Sequence, residues 1–217
     1  MPSADPYARL LTIMLPFHNR FRHSYAAIQA TLRPPSASPQ AQALPLAALE
    51  DLLRQTLLLT SHLEGHHAIE EAYIFPYLAH RMPEFGHKHS SKDGRGQGGG
   101  AHIAEHQVMH AALEELANYV RSVERALRGS QGRKAINEGA GQCFSLPASP
   151  SQDDDDEMKT RRKEWPLSLF DSHKLTELVD DLGAALFPHL HAEEASLRPA
   201  NLRAAGFSPE ELASIPV

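Results

Sequence analysis

Two phrases far apart in the chain share one set of intervals. His66 precedes Glu70 by four positions and Pro76 follows that glutamate by six; His189, Glu193 and Pro199 repeat the pattern more than a hundred residues later. On an α-helix a spacing of four places both side chains on one face, about 6 Å apart along the axis. An imidazole and a carboxylate so placed can ligate one ion or bridge two. The phrases therefore call for long helices whose shared faces carry polar donors, and the rest of the chain can be tested for more such helices.

Four segments qualify. Over 6–32, Leu11, Met14, Leu15, His18, Phe21, Tyr25, Ile28 and Leu32 step by threes and fours into one apolar stripe that contains His18, with Pro16 expected to bend the helix. Over 46–82 the pairs His66/Glu70 and His67/Glu71 compete for the inward face. Leu59 and Leu63 precede His66 by seven and three, whereas Thr60 and Glu64 hold those places before His67. This phase turns His66 and Glu70 inward, on a face running from Leu52 and Thr56 to Tyr73 and Tyr77, and leaves His67 and Glu71 flanking them. Pro76 is expected to kink the last turns. Over 101–128, Ile103, His106, His110, Leu113, Ala117 and Val120 form the stripe, and His102, His106 and His110 form a ladder at intervals of four. Over 168–197, Leu175, Leu178, Leu182, Leu186, His189 and Glu193 share a face, with Pro188 expected to bend the helix just before His189.

Between the helices the composition changes. Residues 33–45 are proline-rich and 83–100 glycine-rich, reading as linkers, and His87 and His89 read as loop histidines. Residues 129–164 combine Gly, Ser and Pro with an acidic run from Asp153 to Glu157 and a basic run from Lys159 to Lys163, the signature of a disordered insert without core contacts. Ser208-Pro209-Glu210-Glu211 supplies an N-cap, a first-turn proline and acidic first-turn residues for a short last helix. The expected organisation is one domain over 1–205 and a tail over 206–217 bearing that helix.

The single cysteine, Cys143, forms no intrachain disulfide and fits a reducing, cytoplasmic setting as a loop thiol. No apolar run reaches the roughly 18 residues of a membrane span, and the first residues lack a signal-peptide pattern. A net charge of −6 argues against nucleic acid as a partner.

The inward donors are His18, His66, Glu70, His106, His110, His189 and Glu193: five imidazoles and two carboxylates on four helices. One buried histidine is ordinarily a hydrogen-bonded core residue. Seven unpartnered polar groups in an apolar core would each cost several kcal/mol, so the set as a whole points to metal. It resembles the hemerythrin family, and more closely the hemerythrin-like HHE cation-binding domains. The motifs that carry the resemblance are His18-Asn19, His66-His67-Ala68-Ile69-Glu70-Glu71 with Ile74-Phe75-Pro76, Glu105-His106-Gln107-Val108-Met109-His110, and His189 to Glu193-Glu194.

The resemblance implies an all-α, up-down four-helix bundle around two non-haem iron ions. By motif, His106, His110 and His189 would ligate one iron and His18 and His66 the other, with Glu70 and Glu193 bridging beside an oxo or hydroxo group. The iron with fewer imidazoles would keep an open position for dioxygen or nitric oxide. One departure stands out: oxygen-carrying members place an Asp five residues after the last His, whereas Glu193 follows His189 by four. An imidazole-rich site favours reversible ligand binding over the hydroxylation of carboxylate-rich sites. The expected function is thus a non-catalytic di-iron protein that binds oxygen or senses iron, oxygen or nitric oxide. The alternatives are a di-iron redox enzyme reducing peroxide or nitric oxide, which turnover would reveal, and a metal-free helical interaction module, whose histidines could be replaced without loss.

Overall fold

The structure, a computed structural model, describes residues 5–34, 44–86, 100–139 and 170–216, all helix, turn or irregular backbone without a strand. Cys143, His87, His89, the charged runs and most of both linkers lie outside the described residues. Four long helices make the framework: α1 (Arg9–Leu32), α2 (Leu46–Ile69), α4 (Ala101–Gly139) and α5 (Ser172–Ser196). A π-helical turn (Glu70–Ile74) and the single turn α3 (Phe75–Leu78) extend α2, and α6 (Pro199–Ala204) and α7 (Pro209–Ser214) close the chain. Each long helix packs on its sequence neighbour, and α5 returns to α1, closing a four-membered bundle.

Two apolar layers fill it. One is built around Phe21, Leu63, Met109 and Leu190, the other around Met14, Ile74, Ile103 and Leu197. Every long helix passes from one layer to the other. Helices α1 and α4 run from the second layer to the first, α2 and α5 the reverse, which is the up-down order. Residues crossing the gap are His18, His66 to Glu70, His106, and Glu193, so the polar donors form a sheet-like stratum between two oily ends.

The helix signals act largely as expected. Asp171 caps α5 by accepting hydrogen bonds from the His173 and Lys174 amides at 2.9 and 3.1 Å. Ser208 and Glu211 form a reciprocal capping box on α7. Residues beyond 205 do not hang free: Phe207, Leu212 and Ile215 are buried in the second apolar layer. Helix α4 runs eleven residues past the expected end at 128, to Gly139, through a segment with no proline to stop it.

The end of α2 departs from expectation. Pro76 has no N–H, and its ring crowds the carbonyl four residues back. The backbone widens to accommodate it, the Phe75 amide bonding the Glu70 carbonyl one residue further back than in an α-helix. This inserts a residue into the phase. Ile74 and Leu78 take the buried places expected for Tyr73 and Tyr77, which are 55 % and 46 % exposed.

The α1–α5 seam depends on a missing side chain. A Cβ at Gly183 would overlap the Tyr25 ring. That ring meets Phe187 edge-on at 4.8 Å, and its hydroxyl accepts from Gln29, which also donates to Asp180 of α5. Alanine for glycine inside a helix ordinarily stabilises by about 1 kcal/mol. At Gly183 the expected sign is reversed, a loss of about 1–3 kcal/mol from overpacking, readable by urea unfolding of Gly183→Ala.

Candidate metal centre

The stratum between the apolar layers gathers two four-residue groups of buried donors, with a smaller, partly exposed group of His102, Glu105 and His189 beside them. His67, Glu70, His106 and His189 form one, His18, His66, Glu70 and Glu193 the other; within each, one ligand atom per residue lies within 4.8 Å of all the others. Glu70 belongs to both. All seven side chains are buried, with His66 the most exposed at 8 %.

Six of the seven residues expected from the sequence are brought together here: His18, His66, Glu70, His106, His189 and Glu193. His110 is partly exposed and stands outside both groups, its ring 5.5 Å from that of His67. His67, expected to flank the site, instead points inward, is wholly buried and stacks on His106 at 4.0 Å.

Three histidines are aimed by carboxylates from adjacent helices. His18 Nδ1 donates to Glu194 at 2.9 Å, His106 Nδ1 to Glu71 at 2.8 Å, and His189 Nδ1 to Glu105 at 3.0 Å. A carboxylate only accepts, so each Nδ1 keeps the proton and each Nε2 turns its lone pair inward. Arg22 holds Glu194 at 2.8 Å, and His102 contacts Glu105 at 3.1 Å while its other nitrogen meets Ser196. Glu105 and Glu194 were visible in the sequence only as neighbours of His106 and Glu193. A residue one step along a helix lies about 100° round, which is where it can reach the next helix's histidine.

The consequence is an interior full of acceptors. His106 Nε2 and His189 Nε2 face each other at 3.2 Å, both with Nδ1 protons already committed. His18 Nε2, His66 Nε2, both nitrogens of His67 and all four oxygens of Glu70 and Glu193 are buried without a hydrogen-bond partner. His66 Nε2 approaches Glu70 Oε1 at 2.8 Å, but without hydrogen-bond geometry. One nitrogen of His67 carries that ring's proton, but the remaining orphaned atoms are chiefly acceptors, and a cation satisfies acceptors on this scale.

The proton affinities tell the same story. Burial drives His66 down to about 4, and burial reinforced by the neighbouring histidines drives His67 and His106 to about 2. Burial and the Glu193 carboxylate raise Glu70 well above the usual range. Burial pushes Glu193 the same way, but His18 and the other imidazoles win and hold it down to about 2. For His18 burial acts downward and is overcome by Glu193 and Glu194, leaving a net rise. The imidazoles of His66, His67 and His106 are thus neutral and ready to donate lone pairs.

Fold and site together define a helical-bundle protein with a buried His/Glu cation-binding centre. The family model described as the hemerythrin HHE cation binding domain matches residues 9–143, and the chain belongs to that family. No curated protein and no solved structure matches it. The family match ends before α5, so His189 and Glu193 join the site through packing of a helix outside the matched region. Among the described residues no helix is long and apolar enough to cross a membrane.

Outer carboxylates of this kind fix ring orientation, and losing one lowers metal affinity about 10–100-fold. Glu105→Ala is expected to weaken metal retention to that extent in a chelator competition. Glu114→Ala, an exposed change on the same helix, should leave it unaltered.

Proposed function

We propose that the chain holds two non-haem iron ions and binds dioxygen or nitric oxide at them, either as a carrier or as a sensor of these gases or of iron. The observation that carries this reading is the pair of four-donor groups sharing Glu70, with their inward atoms otherwise unpartnered. In this assignment His67, His106 and His189 would hold one ion and His18 and His66 the other, with Glu70, common to both donor groups, and Glu193, in the second, supplying the carboxylates. His110 sits at the margin of the first group, in place of the ligand role its spacing suggested.

Iron bound there supplies a redox-active ion with affinity for small diatomic ligands. The protein supplies everything else. Glu71, Glu105 and Glu194 hold three imidazoles in one tautomer and one orientation. The two apolar layers exclude bulk water from above and below. Five imidazoles against two carboxylates moderate the charge on the ions, which supports reversible binding over oxidation of a substrate.

Metal analysis of the purified protein, then absorption spectra under argon and in air, tests the proposal. The expected result is about two irons per chain, a stoichiometry the two donor groups suggest, with bands that appear in air and fade under argon. An irreversible spectral change coupled to peroxide or nitric oxide turnover would move the assignment to a redox enzyme. Failure to take up ferrous iron anaerobically would overturn it.

A further inference from the structure

A cavity of about 400 Å³ opens between α1 and α2 and ends against the metal centre. Its floor is buried: Met14, Phe21, Ile74 and the inner donors His66 and Glu70. Its rim is exposed and divided in character, with Phe17 and Ile69 on the apolar part and Arg20, Ser61 and His62 on the polar part. A water molecule claims about 30 Å³, so a diatomic gas would leave most of this space empty; the volume is that of a pocket for an organic ligand.

Two further features bear on the occupant. Gly65 lines the cavity in mid-helix, and a Cβ there would touch nothing within 4 Å. A helical glycine with nothing packed against it weakens the helix relative to alanine; what its bareness leaves is open pocket wall. Arg20 makes no hydrogen bond or ion pair with any described residue, whereas Arg22, two residues on, is held by Glu194. The rim therefore offers an unneutralised guanidinium next to a cavity whose other walls are mostly hydrocarbon.

We infer that this cavity binds a small organic monocarboxylate of about six to ten carbons, a size matched to such a pocket volume. Its hydrocarbon body lies on Phe17, Phe21, Ile69 and Ile74, and its carboxylate pairs with Arg20 at the rim. Guanidinium–carboxylate pairing supplies the selectivity for an anion, and burial of the chain supplies the affinity. The ligand then covers the open approach to His66 and Glu70. The cavity, Gly65 and Arg20 exist without any ion, so the inference stands independently of the di-iron assignment.

The test is calorimetric titration of the full chain with octanoate, octan-1-ol and octylamine, run on metal-loaded and chelator-treated protein. Octanoate is expected to bind best in both states. Affinity should rise about four-fold per methylene from butanoate to octanoate, the increment for burying one CH₂. Arg20→Gln should cost octanoate roughly three- to ten-fold, the range for one ordinary net hydrogen bond, the charge being screened at an exposed rim, while changing octanol less than two-fold. Gly65→Leu should fill the wall and abolish binding of both, with helicity by circular dichroism retained. Octanoate binding that needs the metal and ignores Arg20→Gln would make the carboxylate a metal ligand and overturn the rim assignment. Equal binding of octylamine, undiminished binding in Gly65→Leu, or no binding of octanoate to the unaltered protein would each overturn the inference outright.

Discussion

Replacing Glu70 with glutamine is expected to remove metal from both halves of the centre and to reverse its effect on stability when metal is absent. Glu70 is the one side chain common to the two donor groups, so a single substitution acts on both. An amide keeps the shape but loses the negative charge that attracts a cation. A ligand present at about a thousand times its dissociation constant stabilises the folded state by about 4 kcal/mol, and losing that would lower Tm by about 8–16 °C in a chain of this length. With chelator present the order should invert. Burial and Glu193 raise the Glu70 carboxyl well above the usual range. A group raised on folding contributes stability below its unfolded value and loses it as pH rises through the folded value. The metal-free native protein is therefore penalised at pH 8 by a carboxylate it cannot ionise comfortably, and metal-free Glu70→Gln is not. Thermal melts of both proteins with and without chelator at pH 8 decide the matter; a variant less stable than the native chain in both conditions would make Glu70 a purely structural residue.

The same physics explains which parts of the centre could be read from the sequence. Periodicity located four buried stripes because apolar residues at helical spacing have only one way to be buried, and the repeated His–Glu interval placed His66, Glu70, His189 and Glu193 correctly on those stripes. Periodicity also treats the inward direction as a line. A centre lying between four helices draws from an arc, and His66 and His67, about 100° apart on α2, can both point into it, one toward each donor group. The choice between them was therefore not one the chain had to make. His110 shows the opposite effect. Its spacing from His106 is right for the face, yet its side chain is partly exposed and lies outside both donor groups, with its ring 5.5 Å from that of His67. The π-helical turn was illegible for a third reason. Pro76 signals a disruption, but whether a helix kinks or widens is settled by what the displaced residues pack against. Here Ile74, Phe75 and Leu78 gain the second apolar layer by widening.

Mild acid is expected to dismantle the centre before it unfolds the rest of the bundle. His66, His67 and His106 are held below the ordinary imidazole range, His66 at about 4 and the other two at about 2, chiefly by burial. In the unfolded chain each would take up a proton near pH 6.5. A folded state that binds fewer protons than the unfolded one loses stability as pH falls, here beginning near 6.5 and continuing through about 4 as His66 protonates in place. His18, raised on folding, acts oppositely, and so does Glu70, whose raised carboxyl also favours the folded state as pH falls, but the two stand against three depressed imidazoles and the competition of protons for the metal ligands. Bound metal sharpens the response, because a proton and a cation compete for the same imidazole lone pair. Between pH 7 and 5, then, metal should be released and Tm should fall, with helicity by circular dichroism largely kept at 25 °C by the two apolar layers. The control is the double variant His67→Gln, His106→Gln. Lacking two of the three depressed imidazoles, it should show a flatter stability profile over the same interval. An equally steep profile would move the origin of the acid sensitivity out of the centre; pairs such as Arg33–Asp180 act only at lower pH, because the Arg33 and Gln29 hydrogen bonds hold that carboxylate below its ordinary range.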